Sequence, residues 1–99
     1  MDDIDDIEEK ISSLHDQIER MKLKLNGKNH MADELSDIAE SFSNSLNINA
    51  ANSALKEKER TEIIVTDLKL RIEQNDANYK QLLIQRDKQK KTAHRNIHG

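Results

Sequence analysis

Apolar residues open this chain at alternating spacings of three and four: Ile4, Ile7, Ile11, Leu14, Ile18, Met21 and Leu25. That spacing keeps one stripe of an α-helix turned toward a neighbouring helix. Mostly Asp, Glu, Lys, Ser and Gln fill the intervening places. A helix with such a stripe cannot bury it alone, so the pattern predicts a second helix. Carried forward without interruption, the same count places Ala32, Leu35, Ala39, Phe42 and Leu46 on the two stripe positions, with Lys28 as the polar exception. Asn26-Gly27-Lys28-Asn29 is a strong break signal, because Gly commonly closes a helix. The retained register argues against a true turn, and a mid-helix Gly costs only about 1 kcal/mol relative to Ala. The first arm therefore reads as one helix over residues 2–47, continuous in preference to kinked or broken at Gly27.

The stretch Ser43 to Ser53 is poor in charge and rich in Ser and Asn, whose side chains compete for backbone hydrogen bonds. It predicts the reversal at residues 47–52, with Asn49 or Asn52 capping the next helix. A second arm follows over residues 50–91. Its stripe is Val65, Leu68, Ile72, Asn75, Tyr79 and Leu82. Toward its start the same positions hold Ala51, Ala54, Lys58 and Thr61, small or polar residues that let helices approach or splay. Beyond Leu82 they hold Arg86 and Gln89, so the predicted seam ends there and residues 92–99 read as a frayed basic tail.

A further stripe lies on the other side of the second arm. Ile63, Leu70, Ala77 and Ile84 are seven apart, with Ile64 and Leu83 beside them. A helix in a plain two-helix hairpin needs one apolar face only. The extra face predicts additional helices around it, from a second copy or from another helical protein. Asn75 interrupts the main stripe, where a single buried amide would pin register and helix number, or where an outward tilt would leave it in solvent.

Composition narrows the fold class. The 99 residues are 34% hydrophobic and 35% charged, with one Phe, one Tyr, two Gly and no Pro, Cys or Trp. So few aromatics cannot fill a thick core, and so few turn residues do not suit a sheet. The expectation is a single all-α domain, a long helical hairpin with coiled-coil heptads that assembles into a larger helical bundle. Residues 1–49 carry 12 acidic and 5 basic side chains, a net of −7, whereas residues 50–99 carry 7 and 11, a net of +4. Opposite halves attract when the chain folds back. Asp2 or Asp3 suits a helix N-cap, and the acidic residues through Glu9 suit the positive end of the helix dipole.

Candidate chemistry is sparse. No Cys nucleophile, Gly-rich phosphate loop or strand-to-helix serine elbow is present, so an enzyme is not expected and no cofactor is implied. His94 and His98 are four apart without a third nearby ligand, and His15 and His30 are isolated; no metal site is predicted. The basic run Arg86, Lys88, Lys90, Lys91 and Arg95 could contact an anion or nucleic acid. It equally fits beside the acidic start of the chain, and aromatics for base stacking are lacking. No apolar run approaches the roughly 20 residues of a membrane span, and the acidic start is unlike a signal peptide. A soluble cytoplasmic protein is expected, with export by a route lacking a cleaved signal as the alternative.

In length, paired arms and central reversal the chain resembles the small helical hairpins exported by the type VII secretion pathway and their escorts. Its centre, Asn47-Ile48-Asn49-Ala50, departs from the Trp-X-Gly turn of that family, and Leu83 stands where its export signal has an acidic residue. The resemblance is one of shape. Three functions follow as expectations. The first is a non-enzymatic coiled-coil adaptor, assembly subunit or escort that binds itself or another helical protein. Its interface would use Ile4, Ile7, Ile11, Leu14, Ile18, Met21, Leu25, Leu35, Phe42, Leu46, Ile63, Val65, Leu68, Leu70, Ile72, Asn75, Tyr79, Leu82 and Ile84. The second is a small dimeric nucleic-acid-binding or regulatory protein using the basic tail. The third is a secretion substrate or secretion chaperone.

Overall fold

The computed structural model describes the backbone of residues 4–98 and the side chains of residues 4–91. Two helices make up the described chain, α1 (Ile4–Asn44) and α2 (Ile48–His98), and they form an all-α antiparallel hairpin. α1 passes through Gly27 without a break, and Gly27 keeps a negative φ. The stripe explains this continuity. Leu25 is half-buried and Ala32 fully buried on either side of the Gly, so both turns are held by the same seam.

The reversal is tighter and earlier than the sequence predicts. It occupies Ser45 to Asn47 rather than residues 47–52, and α2 begins at Ile48. Leu46 takes the left-handed conformation, φ 60°. The Asn47 N–H donates to the Phe42 carbonyl at 2.8 Å and the Leu46 N–H to the Ser43 carbonyl at 3.0 Å. This pair of bonds is the Schellman closure of a helix. Ser45 Oγ lies 2.9 Å from the Ser41 carbonyl, which takes up another terminal acceptor. Asn47 also caps α2: its Oδ1 accepts the Ala50 N–H at 3.3 Å, and its carbonyl accepts the Ala51 N–H at 3.0 Å. Neither Asn49 nor Asn52 is the cap, because the Schellman closure already places Asn47 at the entry to α2.

The chain divides into two compact units. One runs from Met21 to Arg71 and contains the reversal. Its buried residues are Ala32, Ala39, Ala51, Ala54, Thr61, Val65 and Leu68. The small side chains nearest the turn let the two helices approach closely. Lys28 and Lys58 are half-buried at stripe positions, their stems along the seam. Thr61 is buried without strain on its hydroxyl, which donates to the Glu57 carbonyl at 2.9 Å and lies 3.9 Å from Met31 Sδ. Two stripe residues fail here. Phe42 and Leu46 are exposed, and Leu46 is 84% exposed. The heptad count carries past the true helix end, and the left-handed turn swings Leu46 off the seam.

The other unit joins the chain up to Arg20 with the chain from Ile72 onward. Ile7, Ile11, Ile18 and Ile72 are buried, and Ile4, Leu14, Asn75, Tyr79, Leu82 and Leu83 are half-buried. Asn75 is not without a polar partner. The ring centroids of His15 and Tyr79 lie 6.2 Å apart, and Lys90 Nζ lies 3.6 Å from Glu8 Oε1. The second pair joins the acidic start of α1 to the basic end of α2, as the charge asymmetry anticipates. α2 stays helical to His98, past the seam's last residues, because residues 92–98 contain no Pro or Gly to stop it. The predicted caps Asp2 and Asp3 and the side chains of His94, Arg95 and His98 lie outside the described residues.

Candidate interaction surface

At 100° per residue, a position midway between two seam residues of a helix points away from the seam. Ile63 stands in that relation to Thr61 and Val65, and Leu70 to Leu68 and Ile72. The side chains obey the geometry: Ile63 is 69% exposed and Leu70 53%. Both lie in the unit that holds the reversal, and they line a shallow depression of about 680 Å³ together with Glu59, Glu62, Thr66 and Asp67. Ile64, one residue on, is exposed as well.

The polar rim of this face is set by pairs along the helix. Asp67 Oδ2 lies 3.0 Å from Arg71 Nε, Glu62 Oε1 3.7 Å from Lys58 Nζ, and Glu57 Oε1 2.6 Å from Arg60 Nη1. Such exposed pairs contribute little stability, about 0.3–0.5 kcal/mol each. Their effect is to orient the rim. In the other unit α2 continues the same spacing with Ala77, which is exposed, and Ile84, 47% exposed.

Several exposed apolar residues escaped the sequence reading. Leu23, Met31, Ile38 and Leu55 are all exposed in the unit holding the reversal. Met31 and Ile38 precede the buried Ala32 and Ala39 by one residue and are seven apart, a periodicity that would have revealed them. At the turn Phe42, Leu46 and Ile48 are exposed, within a stretch from Ser41 to Leu55 that carries no charged residue.

The predicted interface residues thus fall into two sets. Ile7, Ile11, Ile18, Val65, Leu68 and Ile72 are buried within the chain, and Ile4, Leu14, Met21, Leu25, Leu35, Asn75, Tyr79 and Leu82 are half-buried beside them. Ile63, Leu70 and Ile84 remain available to a partner, as do Phe42 and Leu46.

Among the described residues, the candidate anion contacts are not alike in setting. Arg86 is half-buried at a seam position; its Nε is enclosed, has no hydrogen-bond acceptor, and lies 3.6 Å from Asp87 Oδ1. Lys90 is paired with Glu8, Lys88 also has a partner, and Lys91 is exposed. Among the described residues no group of three or more His, Asp or Glu is placed to hold a metal ion. His30 Nε2 lies 2.8 Å from Glu34 Oε1, one turn along α1. Among the described residues no helix is long and apolar enough to cross a membrane.

No protein-family model matches the chain, and no curated protein or solved structure is significantly similar to it.

Proposed function

We propose that this chain is a non-enzymatic protein-protein interaction module: an adaptor, assembly subunit or escort that docks α2 against another helix. One observation carries the reading. Ile63 and Leu70, with Ala77 and Ile84 at the same seven-residue spacing, stand on the face of α2 turned from its own seam, and each of the three large residues is about half exposed or more, from 47% to 69%. Leaving such side chains in water forgoes burial free energy of about 1.5–3 kcal/mol each. A second helix would recover it.

Substitutions on the outer face and in the seam should do different damage. Ile63→Glu with Leu70→Glu should leave helicity and melting nearly unchanged, because neither residue is in the chain's own seam, yet reduce the native mass of the complex in extracts of the source to that of the free chain. Ile11→Asp with Ile18→Asp should instead unfold the hairpin, since both residues are buried within it. Size-exclusion chromatography with light scattering and circular dichroism measures both. An unchanged complex in the Ile63 and Leu70 variant would remove the reading. Binding through the basic residues of α2 predicts a different signature, an affinity that falls steeply with salt.

A further inference from the structure

The apolar positions of the outer stripe do not say what covers it, but the polar positions beside them do. On a helix, the residues three and four away from a stripe residue flank it at about 40–60°. One flank of α2's outer face therefore reads Glu59, Thr66, Glu73, Lys80 and Asp87, and the other Arg60, Asp67, Gln74, Gln81 and Lys88. When two copies of a helix pair in parallel and in register, the first flank of each faces the second flank of the other. Glu59 then meets Arg60 of the second copy and Asp87 meets Lys88, each twice by symmetry. Between them Thr66 meets Asp67, Glu73 meets Gln74 and Lys80 meets Gln81, pairs with hydrogen-bonding capacity and no like charges.

An antiparallel pair through the same stripe brings like flanks together. With Ile63 opposite Ile84, Glu59 is set against Asp87, Arg60 against Lys88, and Glu73 against itself at the twofold axis. Like charges facing each other across a contact are unfavourable. With all four layers overlapping, the flanking charges therefore favour the parallel orientation, and a copy of this chain supplies the complement.

We infer that the partner of the outer stripe is a second copy of this chain, held parallel and in register through α2, with Ile63, Leu70, Ala77 and Ile84 each meeting its own counterpart. This rests on the reading of the stripe as a docking surface. Lys56 and Lys91 occupy the next stripe position at either end, where they limit the apolar contact to those four layers. Arg60 and Asp67 already pair along their own helix, with Glu57 and Arg71, at exposed positions where such pairs are easily shared or exchanged.

The absence of Cys makes the test direct. Ile84→Cys introduces one thiol per chain, and under mild oxidation the parallel pair should convert most of the protein to a disulfide-linked dimer. The antiparallel pair would hold those thiols about 30 Å apart along the helix and yield none. Charge reversal gives an independent sign. Glu59→Lys should weaken dimerisation about tenfold, and adding Arg60→Glu should restore it, with helicity followed throughout. Stronger dimerisation in Glu59→Lys, or no cross-link in Ile84→Cys, would overturn the parallel pair. If the purified chain stays monomeric while Ile63→Glu with Leu70→Glu still releases it from a larger complex in extracts, the second copy is excluded and the docking role survives. No effect in either experiment overturns both.

Discussion

Around Gly27 the backbone holds a right-handed helix with nothing within 4 Å of where a Cβ would stand. Around Leu46 it turns left-handed, at φ 60°, with a bulky side chain that is 84% exposed. The residue best able to leave the helix stays in it, and a residue poorly suited to the left-handed region makes the turn. The difference lies in what surrounds each position. Near Gly27 the seam is occupied on both sides, so a break would expose Leu25 or Ala32. Near Leu46 the buried Ala39 of α1 and Ala51 of α2 require the chain to reverse between them. Asn44 and Asn47 would tolerate the left-handed conformation better, but Asn47 is committed to capping α2. Leu46 thus carries a conformational cost of roughly 1–2 kcal/mol, which burial along the seam offsets.

The strongest way to break this contrast is Gly27→Pro. If the seam holds α1 as one helix, Pro removes a hydrogen bond and clashes with the preceding turn, and stability should fall by about 3 kcal/mol. A melting temperature that did not move would mean the helix is already interrupted there. Leu46→Gly should work in the opposite direction. It relieves the left-handed conformation and should raise stability by about 1 kcal/mol, a gain of about 5 °C in melting temperature. No gain would show that the Leu46 side chain is held by contacts of its own. The smallest expected effect is Gly27→Ala, which should add slightly under about 1 kcal/mol because the added methyl group meets only open space. Loss of stability there would contradict the exposed, regular helix at Gly27.

Most of the seam was legible before any coordinates. Its polar members are as instructive as its apolar ones: Lys28, Lys58, Arg86 and Gln89 fall on stripe positions and are half-buried, while Thr61 is fully buried. The seven-residue count places Lys28, Lys58 and Thr61 on the seam because the helix repeat is a property of the backbone, whereas Arg86 and Gln89 extend the seam beyond Leu82, where it was expected to end. The count errs where the helix ends. Leu46 satisfies the register on paper, yet a Schellman closure, which requires no particular sequence beyond one residue accepting positive φ, lifts it away, while Phe42, still within the last turn of α1, is left 36% exposed. Among the proposed interface residues, Ile63, Leu70 and Ile84 were readable as a stripe facing away from the seam. Met31 and Ile38 carried a seven-residue spacing that the seam count passed over, and Leu55 carried none, since a residue beside a seam is covered or exposed according to how closely the two helices approach.

Periodicity, the scarcity of turn residues and the split of charge between the halves were enough to specify two long antiparallel helices and the faces on which they meet. These are determined locally, by the repeat of the helix and by the burial of apolar side chains. The tertiary structure alone decided where the first helix stops, that Asn47 serves both helices at the reversal, and that Arg86 is drawn into the seam instead of joining a basic surface. Those outcomes depend on which carbonyls, amides and charged groups the packed helices bring within reach of one another, and the order of residues along a single helix does not contain that information.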